Sequence, residues 1–273
     1  MLRALISAFA ILVCPLVGVA HTQNAPPPVS ICHAIASGIH QASFVRFDLQ
    51  PKEYAAIEDE VKFTYVGHST YFIETPGGVS IATDYSGHHP TPYMPTVVTM
   101  NKAHSGHYTL APDPGIQYVL HGWNDDGSPA NHQLAVGDTL VRNVPTDIRS
   151  YSGAMEANGN SIFIFEAAGL CIGHLGHLHH ELTDSHITEI GRLDIVMVPV
   201  DGGLTMGAAS MSRTVKKLRS SVVLPMHRRF GTIEDFVAKF GPDFDLHPSP
   251  TRTVTFSLRN LPRKPTIYVL PGL

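Results

Sequence analysis

The sequence predicts a mixed α/β (α+β) fold in which two β-sheets pack together with helices on the outer faces. Three observations carry this. From Val61 to Ile172 short alternating or apolar runs follow one another between Gly, Pro, Asn and Asp residues, as strands do. From Asp184 onward strand-like and helix-like segments alternate. No repeat at solenoid spacing and no long low-complexity tract interrupts the pattern.

Residues 61–66 alternate like a half-buried strand, 71–74 read as a second and 79–83 as a third. Pro76-Gly77-Gly78 between the last two is a hairpin turn signal. A short buried strand spans 96–100 and ends at Asn101. Further strands follow at 117–120, 139–144, 161–166 and 170–172. Residues 184–191 form a short helix. The nearly unbroken apolar run 193–200 is expected of a strand buried on both faces. Residues 208–220 set Met211, Val215 and Leu218 on one helix face. Lys216, Lys217 and Arg219 lie near its C-terminus, where cations complement the helix dipole. A strand at 222–226, a helix at 233–240 and strands at 253–258 and 266–270 complete the chain.

The 273 residues are 43% hydrophobic and 15% charged, enough for a sizeable core. A net charge of −4 without a Lys/Arg-rich run leaves no electrostatic footprint for nucleic acid. Residues 1–20 combine Arg3, an apolar run over 4–13 and a Gly18-Val19-Ala20 end, the pattern of a cleaved signal peptide. The run is short for a membrane span, and Val13 before Cys14 does not suit a lipoprotein anchor. The expected division is therefore a signal peptide (1–20), a Pro-rich leader packed on the surface (21–58) and one domain (59–273). The mature protein is expected to be periplasmic or secreted, with no membrane anchor. Its two cysteines are Cys32 and Cys171. An oxidising compartment permits a disulfide, but spacing does not bring the pair together, and Cys171 within an apolar strand reads as a buried inert thiol.

Four of the 17 histidines fall within Gly173-His174-Leu175-Gly176-His177-Leu178-His179-His180. Neutral imidazole is the commonest metal ligand. Polar groups also recur where other apolar strands end: His68, Asp84, His104, His107, Asp201 and His227. Strand ends are where a rigid sheet can hold ligands, and zinc takes His and carboxylate groups at four positions.

Gly67-His68-Ser69-Thr70-Tyr71-Phe72-Ile73-Glu74-Thr75-Pro76-Gly77-Gly78 with Asp84 resembles the opening hairpin of the metallo-β-lactamase superfamily, closest to its lactonase-like and general zinc-hydrolase branch. The resemblance continues through 97–108, 174–183, 194–203 and Pro225-Met226-His227, and so covers roughly residues 60–230 in order. It implies a four-layer αββα sandwich with a metal site at one edge of the paired sheets. The family's His-x-His-x-Asp-His frame reads Lys102-Ala103-His104-Ser105-Gly106-His107 here. Lys replaces the first His and Gly the Asp. No His follows Val144 in Pro145-Thr146-Asp147-Ile148-Arg149, and His177 stands at the bridging Asp position.

The resemblance thus implies metal ligands His104, His107, His177 and His227, holding one zinc or another divalent ion in place of two. Lys102 falls where the absent ion's charge would be, so its ammonium either serves an anionic substrate group or oxyanion, or merely fills the pocket or points to solvent. Asp201, where this branch usually has Gly, joins Lys102 as a candidate catalytic residue and could replace the carboxylate lost at Gly106. The leading expectation is a hydrolase of small-molecule esters, lactones, amides or phosphoesters, with metal-bound hydroxide as nucleophile. A non-catalytic binding protein of the same fold and a periplasmic metal-binding protein are the alternatives. Loops 85–95 and 122–137 are expected to rim the cleft. The residues name neither the substrate nor the oligomeric state.

Overall fold

A computed structural model describes residues 29–33, 59–150 and 152–273. The signal peptide expected at 1–20 and the leader expected over 21–58, apart from residues 29–33, lie outside the described residues. The first sheet contains β1 (Val61–Gly67), β2 (Thr70–Glu74), β3 (Ser80–Ala82), β4 (Val97–Met100), β5 (Tyr118–His121) and β13 (Thr253–Phe256), in the order β13-β1-β2-β3-β4-β5. The second contains β6 (Gln133–Val136), β7 (Thr139–Arg149), β8 (Met155–Ala167), β9 (Leu170–His174), β10 (Ile195–Pro199), β11 (Val222–Met226), β12 (Asp245–Pro248) and β14 (Thr266–Val269). Its order is β12-β14-β11-β10-β9-β8-β7-β6. Three helices complete the set: α1 (Asp184–Ile190), α2 (Ala208–Leu218) and α3 (Ile233–Val237).

Period-two alternation builds the layers. In β8, Phe163 and Phe165 face the first sheet, where they join Phe63, Tyr71 and Ile73, while Ile162 and Ile164 face the helices. In β10, Ile195 and Met197 point to the first sheet and Val196 and Val198 to the helices. This is the strand buried on both faces that its unbroken apolar run predicts. On α2, Met211, Val215 and Leu218 are buried against the second sheet, and Lys216 and Lys217 occupy the last turn. The first sheet's outer face is covered by Tyr85, Tyr108, Ile116 and Trp123 from connecting segments.

Several elements differ from the sequence expectation. β6 runs inside a stretch expected to be loop, and β12 was not expected. Both are edge strands with exposed or half-exposed side chains, so burial imprints little pattern on them. β7 and β8 extend past their apolar stretches as an 11- and a 13-residue hairpin pair, held by backbone pairing between polar residues. Cys32 and Cys171 form a disulfide with Cα atoms 5.9 Å apart, which replaces the inert thiol expected at Cys171. Residues 29–33 are held further by Ser30 Oγ and the Ile31 amide, which donate to Glu166 at 2.5 and 2.8 Å. Arg142 Nε also donates to Glu166, at 2.9 Å.

Strand direction gathers the candidate residues. β1 and β3 are both antiparallel to β2, β4 is parallel to β3, and β9, β10 and β11 are mutually parallel. The C-terminal ends of each set therefore open on one edge of its sheet. His68, Asp84 and Asn101 follow β1, β3 and β4, while Asp201 and His227 lie just beyond β10 and β11.

Candidate metal centre

Six residues in the described chain are non-glycine with positive φ, and three belong to this edge: His68 (53°), Asp84 (41°) and His227 (54°). Such backbone costs about 1–3 kcal/mol per residue and persists where the surroundings enforce it. Here the His227 amide donates to the His68 carbonyl at 2.7 Å, and Tyr65 Oη donates to the same oxygen at 2.9 Å. Strands from the two sheets are thereby tied together at their ends.

The histidine rings converge. His107 lies 4.5 Å from His104, 4.8 Å from His177, 4.9 Å from His68 and 4.9 Å from His227, centroid to centroid. The four ligands implied by the sequence are thus neighbours, but their donor atoms sort differently. One group of mutually close donor atoms contains His68, His104, His107 and His227; a second contains His177, Asp201 and His227. His68 stands in the first group where the resemblance put His177.

The reason lies at Gly106. A Cβ there would come within 2.8 Å of both His68 Nε2 and His104 Cε1. A side chain at position 106 would meet the His68 ring, which comes from the turn between β1 and β2 of the same sheet. His68 was visible in the sequence as a strand-end histidine. Its pairing with the loss at position 106 is a tertiary fact.

Two carboxylates orient two of the rings. Asp84 Oδ2 is 2.6 Å from His107 Nδ1, and Asn101 Nδ2 donates to Asp84 Oδ1 at 2.8 Å. Asp201 Oδ2 is 2.5 Å from His227 Nδ1, off the line of a straight hydrogen bond but too close without a proton between them. Asp201 Oδ1 is occupied by the amides of Gly203, Leu204 and Thr205 and by Thr205 Oγ1, at 2.9–3.1 Å. A carboxylate on Nδ1 leaves the Nε2 lone pair free to bind a metal. Asp201 thus lies against His227, and the donor atoms close to it include His177 as well.

Burial favours the neutral form of His68, His107 and His177. His68 is pushed down to about 4, first by desolvation and then by the neighbouring His227 and His104. Desolvation, followed by the same crowding of imidazoles, holds His107 and His177 well below the usual histidine range. Burial raises the Asp201 carboxyl, but the His227 contact and the Thr205 and Gly203 amides outweigh it and hold the group low. The Nε2 atoms of His68, His107 and His177 are buried with no hydrogen-bond partner. Unpaired buried polar atoms are costly, so a cluster of them points to a ligand. His104 Nε2 lies 3.4 Å from His227 Nε2, near the ~3.3 Å separating two nitrogens on a tetrahedral ion with bonds of about 2.0–2.1 Å. The donor set fits a divalent transition metal.

Other candidates fall outside the centre. His174 donates from Nε2 to the Ser69 carbonyl and accepts the Gly176 amide at Nδ1, so both nitrogens serve the fold. Gly176 itself has φ 60°, and a Cβ there would lie 2.3 Å from Asn160 Oδ1. Lys102 is not in the cluster: it pairs with Glu156 at the surface, its side chain 42% exposed. Over the cluster opens a cleft of about 510 Å³ whose lining includes His104, His177, His179, Arg149, Arg229 and Leu204. None of its described lining residues comes from loops 85–95 or 122–137.

The sequence profile described as a β-lactamase superfamily domain matches residues 62–227. The chain belongs to that family. The metallo-β-lactamase fold is matched by a candidate Zn-dependent hydrolase of the superfamily from Thermotoga maritima. That protein is 25% identical, with a TM-score of 0.56, over 77% of this chain and 98% of its own. Igni18, a metallo hydrolase from the hyperthermophilic archaeon Ignicoccus hospitalis, matches at 21% identity and TM-score 0.55, over 73% and 99%. No curated protein sequence matches the chain. The superfamily is metal-dependent, and this member has His/Asp groups that could hold a metal.

Proposed function

We propose that this metallo-β-lactamase-fold protein is a metal-dependent hydrolase of a small ester, lactone, amide or phosphoester, with one divalent ion held by His68, His107 and His227 and with His104 at the fourth position. The observation that carries this is the set of buried, unpartnered Nε2 atoms beside two carboxylate-oriented imidazoles. When bound, such an ion supplies Lewis-acid activation of water and of the scissile group's oxygen. Asp84 and Asp201 keep the Nδ1 protons of His107 and His227 in place. His104, lining the cleft, stands between the buried rings and an entering substrate.

A single ion is favoured because the two donor groups share His227. Its Nδ1 is committed to Asp201, so its one remaining nitrogen serves one ion only. The second group is then left with His177 and with Asp201, whose Oδ1 is held by the 203–205 amides. Zinc suits three imidazoles with an open position. Export to the periplasm or beyond is part of the same reading, supported by the disulfide, which persists in oxidising compartments.

Elemental analysis of the purified protein is expected to find one equivalent of metal. His107→Ala and His227→Ala lose it, His68→Ala weakens it at least tenfold, and His179→Ala retains it. Turnover on a panel of generic esters, lactones and phosphoesters is expected to follow metal content. Two tightly bound equivalents, or full metal retention in His107→Ala, would overturn the ligand set. One bound equivalent without turnover on any substrate class would make this a metal-binding protein.

A further inference from the structure

The cleft over the histidine cluster has a one-signed wall. Arg149 and Arg229 both line it, with His104, His177 and His179 as the other ionisable groups, and no carboxylate lines it among the described residues. The nearest acids are spoken for. Asp201 is buried, with Oδ1 capping four donors and Oδ2 on His227. Glu156 pairs with Lys102 at the surface.

The two arginines are held differently. Arg149 is pinned: its Nη2 donates to the carbonyls of Gly203 and Leu204 at 3.0 and 2.9 Å, which fixes the guanidinium at the cleft. Arg229 makes no hydrogen bond among the described residues. Its guanidinium carbon lies 5.7 Å from the Phe230 ring, and Phe230 is exposed. Arg229 acts electrostatically on His104, and Arg149 on His179, so both charges look into the same space as the donor cluster. An exposed cation without a carboxylate partner among the described residues, lining one cleft with a second cation fixed by backbone carbonyls, is a site short of an anion. Guanidinium forks match carboxylate and phosphate oxygens better than any neutral group.

We propose that Arg149 and Arg229 form an oxyanion-binding pair at the mouth of the centre, and that the substrate is an anion whose carboxylate or phosphate group rests against them while its scissile bond faces the histidines. The Arg pair is a positioning device: it binds a part of the substrate that does not react. The assignment rests on the hydrolase reading only in calling the ligand a substrate; the anion site stands on the arginines.

Calorimetric titration of the whole mature protein with inorganic phosphate, and separately with acetate, tests this. Each titration is run on protein as purified and after metal removal by chelation. Tighter binding of phosphate marks a phosphate-bearing ligand, and tighter binding of acetate a carboxylate-bearing one; either supports the site. Arg229→Gln is expected to weaken the preferred anion about tenfold or more in both preparations, with Arg229→Lys close to wild type and metal content unchanged. Arg149→Gln should do the same. Arg229→Gln is the decisive variant, because Arg149 also ties down the Gly203–Leu204 carbonyls. An anion affinity unchanged in Arg229→Gln, or binding seen only while metal is present, overturns the proposal. Absence of metal from the purified protein would sink the hydrolase reading instead, leaving the metal-free titrations to judge the arginines.

Discussion

Asp201 shows how the two oxygens of one side chain divide between two surroundings. As a carboxylate near a histidine cluster it looks like a ligand or a base. Atom by atom, Oδ1 caps the 203–205 turn and Oδ2 orients His227. Asp201→Asn should therefore keep the turn, since an amide oxygen still accepts those donors. Its NH2 would face His227 Nδ1 and push the ring proton to Nε2, the metal-binding nitrogen. The expected result is a folded protein, by circular dichroism and melting temperature, with metal affinity about 10–100-fold lower. Asp84→Asn should act likewise through His107. The converse experiment is at Gly106. Gly106→Asp alone should lower the melting temperature, because its side chain meets His68 and His104. His68→Ala with Gly106→Asp should recover stability and retain metal through the restored carboxylate. A double variant no more stable than Gly106→Asp would show that His68 does not fill that space.

Among the elements, the pairing of Cys32 with Cys171 in β9 closes a span of 139 residues and fastens residues 29–33 beside the Glu166–Arg142 pair. Removing a native disulfide typically costs about 2–5 kcal/mol. Replacing both cysteines with serine should lower denaturant-unfolding stability by that amount. β9 also leads into His177, whose amide donates to Asn160 Oδ1 at 2.7 Å. Because that bond and the parallel pairing with β10 remain, the variant should keep its metal stoichiometry below its melting temperature. Loss of metal without loss of stability would mean that the disulfide reaches the site directly.

For the whole molecule, crowding neutral imidazoles into a buried cluster makes stability depend on pH. His68 and His179 are pushed down from 6.5 to about 4, and His107, His174 and His177 are lowered as well, each primarily by desolvation. Below about pH 6.5 the unfolded chain takes up protons on these rings, whereas the fold refuses them until about pH 4 or lower. The unfolded state then binds more protons, so stability falls as pH drops through this window and is largest above it. Unfolding curves of metal-free protein should show decreasing stability from pH 7 to pH 4.5. A flat profile would contradict the buried neutral cluster.

Residues 61–74 and the unbroken run behind β10 made the two-sheet sandwich legible in the sequence, because burial of one or both faces writes itself into a strand as period two or as continuous apolarity. The strand-end positions of His104, His107, His177 and His227 were legible for the same reason: they follow such runs directly. Edge strands β6 and β12 left little trace, since half-exposed side chains are under weak compositional pressure. What the linear chain leaves open is which groups meet at the edge of the folded sheets. The His68 ring meets position 106 only because β1 and β4, separated by β2 and β3 in one sheet, end on the same edge, and Lys102 turns outward to Glu156. Arg149 and Arg229 come from the end of β7 and from the segment after β11, 80 residues apart, and line one cleft only in the folded protein. Periodicity is a property of neighbours along the chain, so it determines elements and their faces. Ligand geometry is a property of neighbours in space, and that was decided by how the two sheets pack.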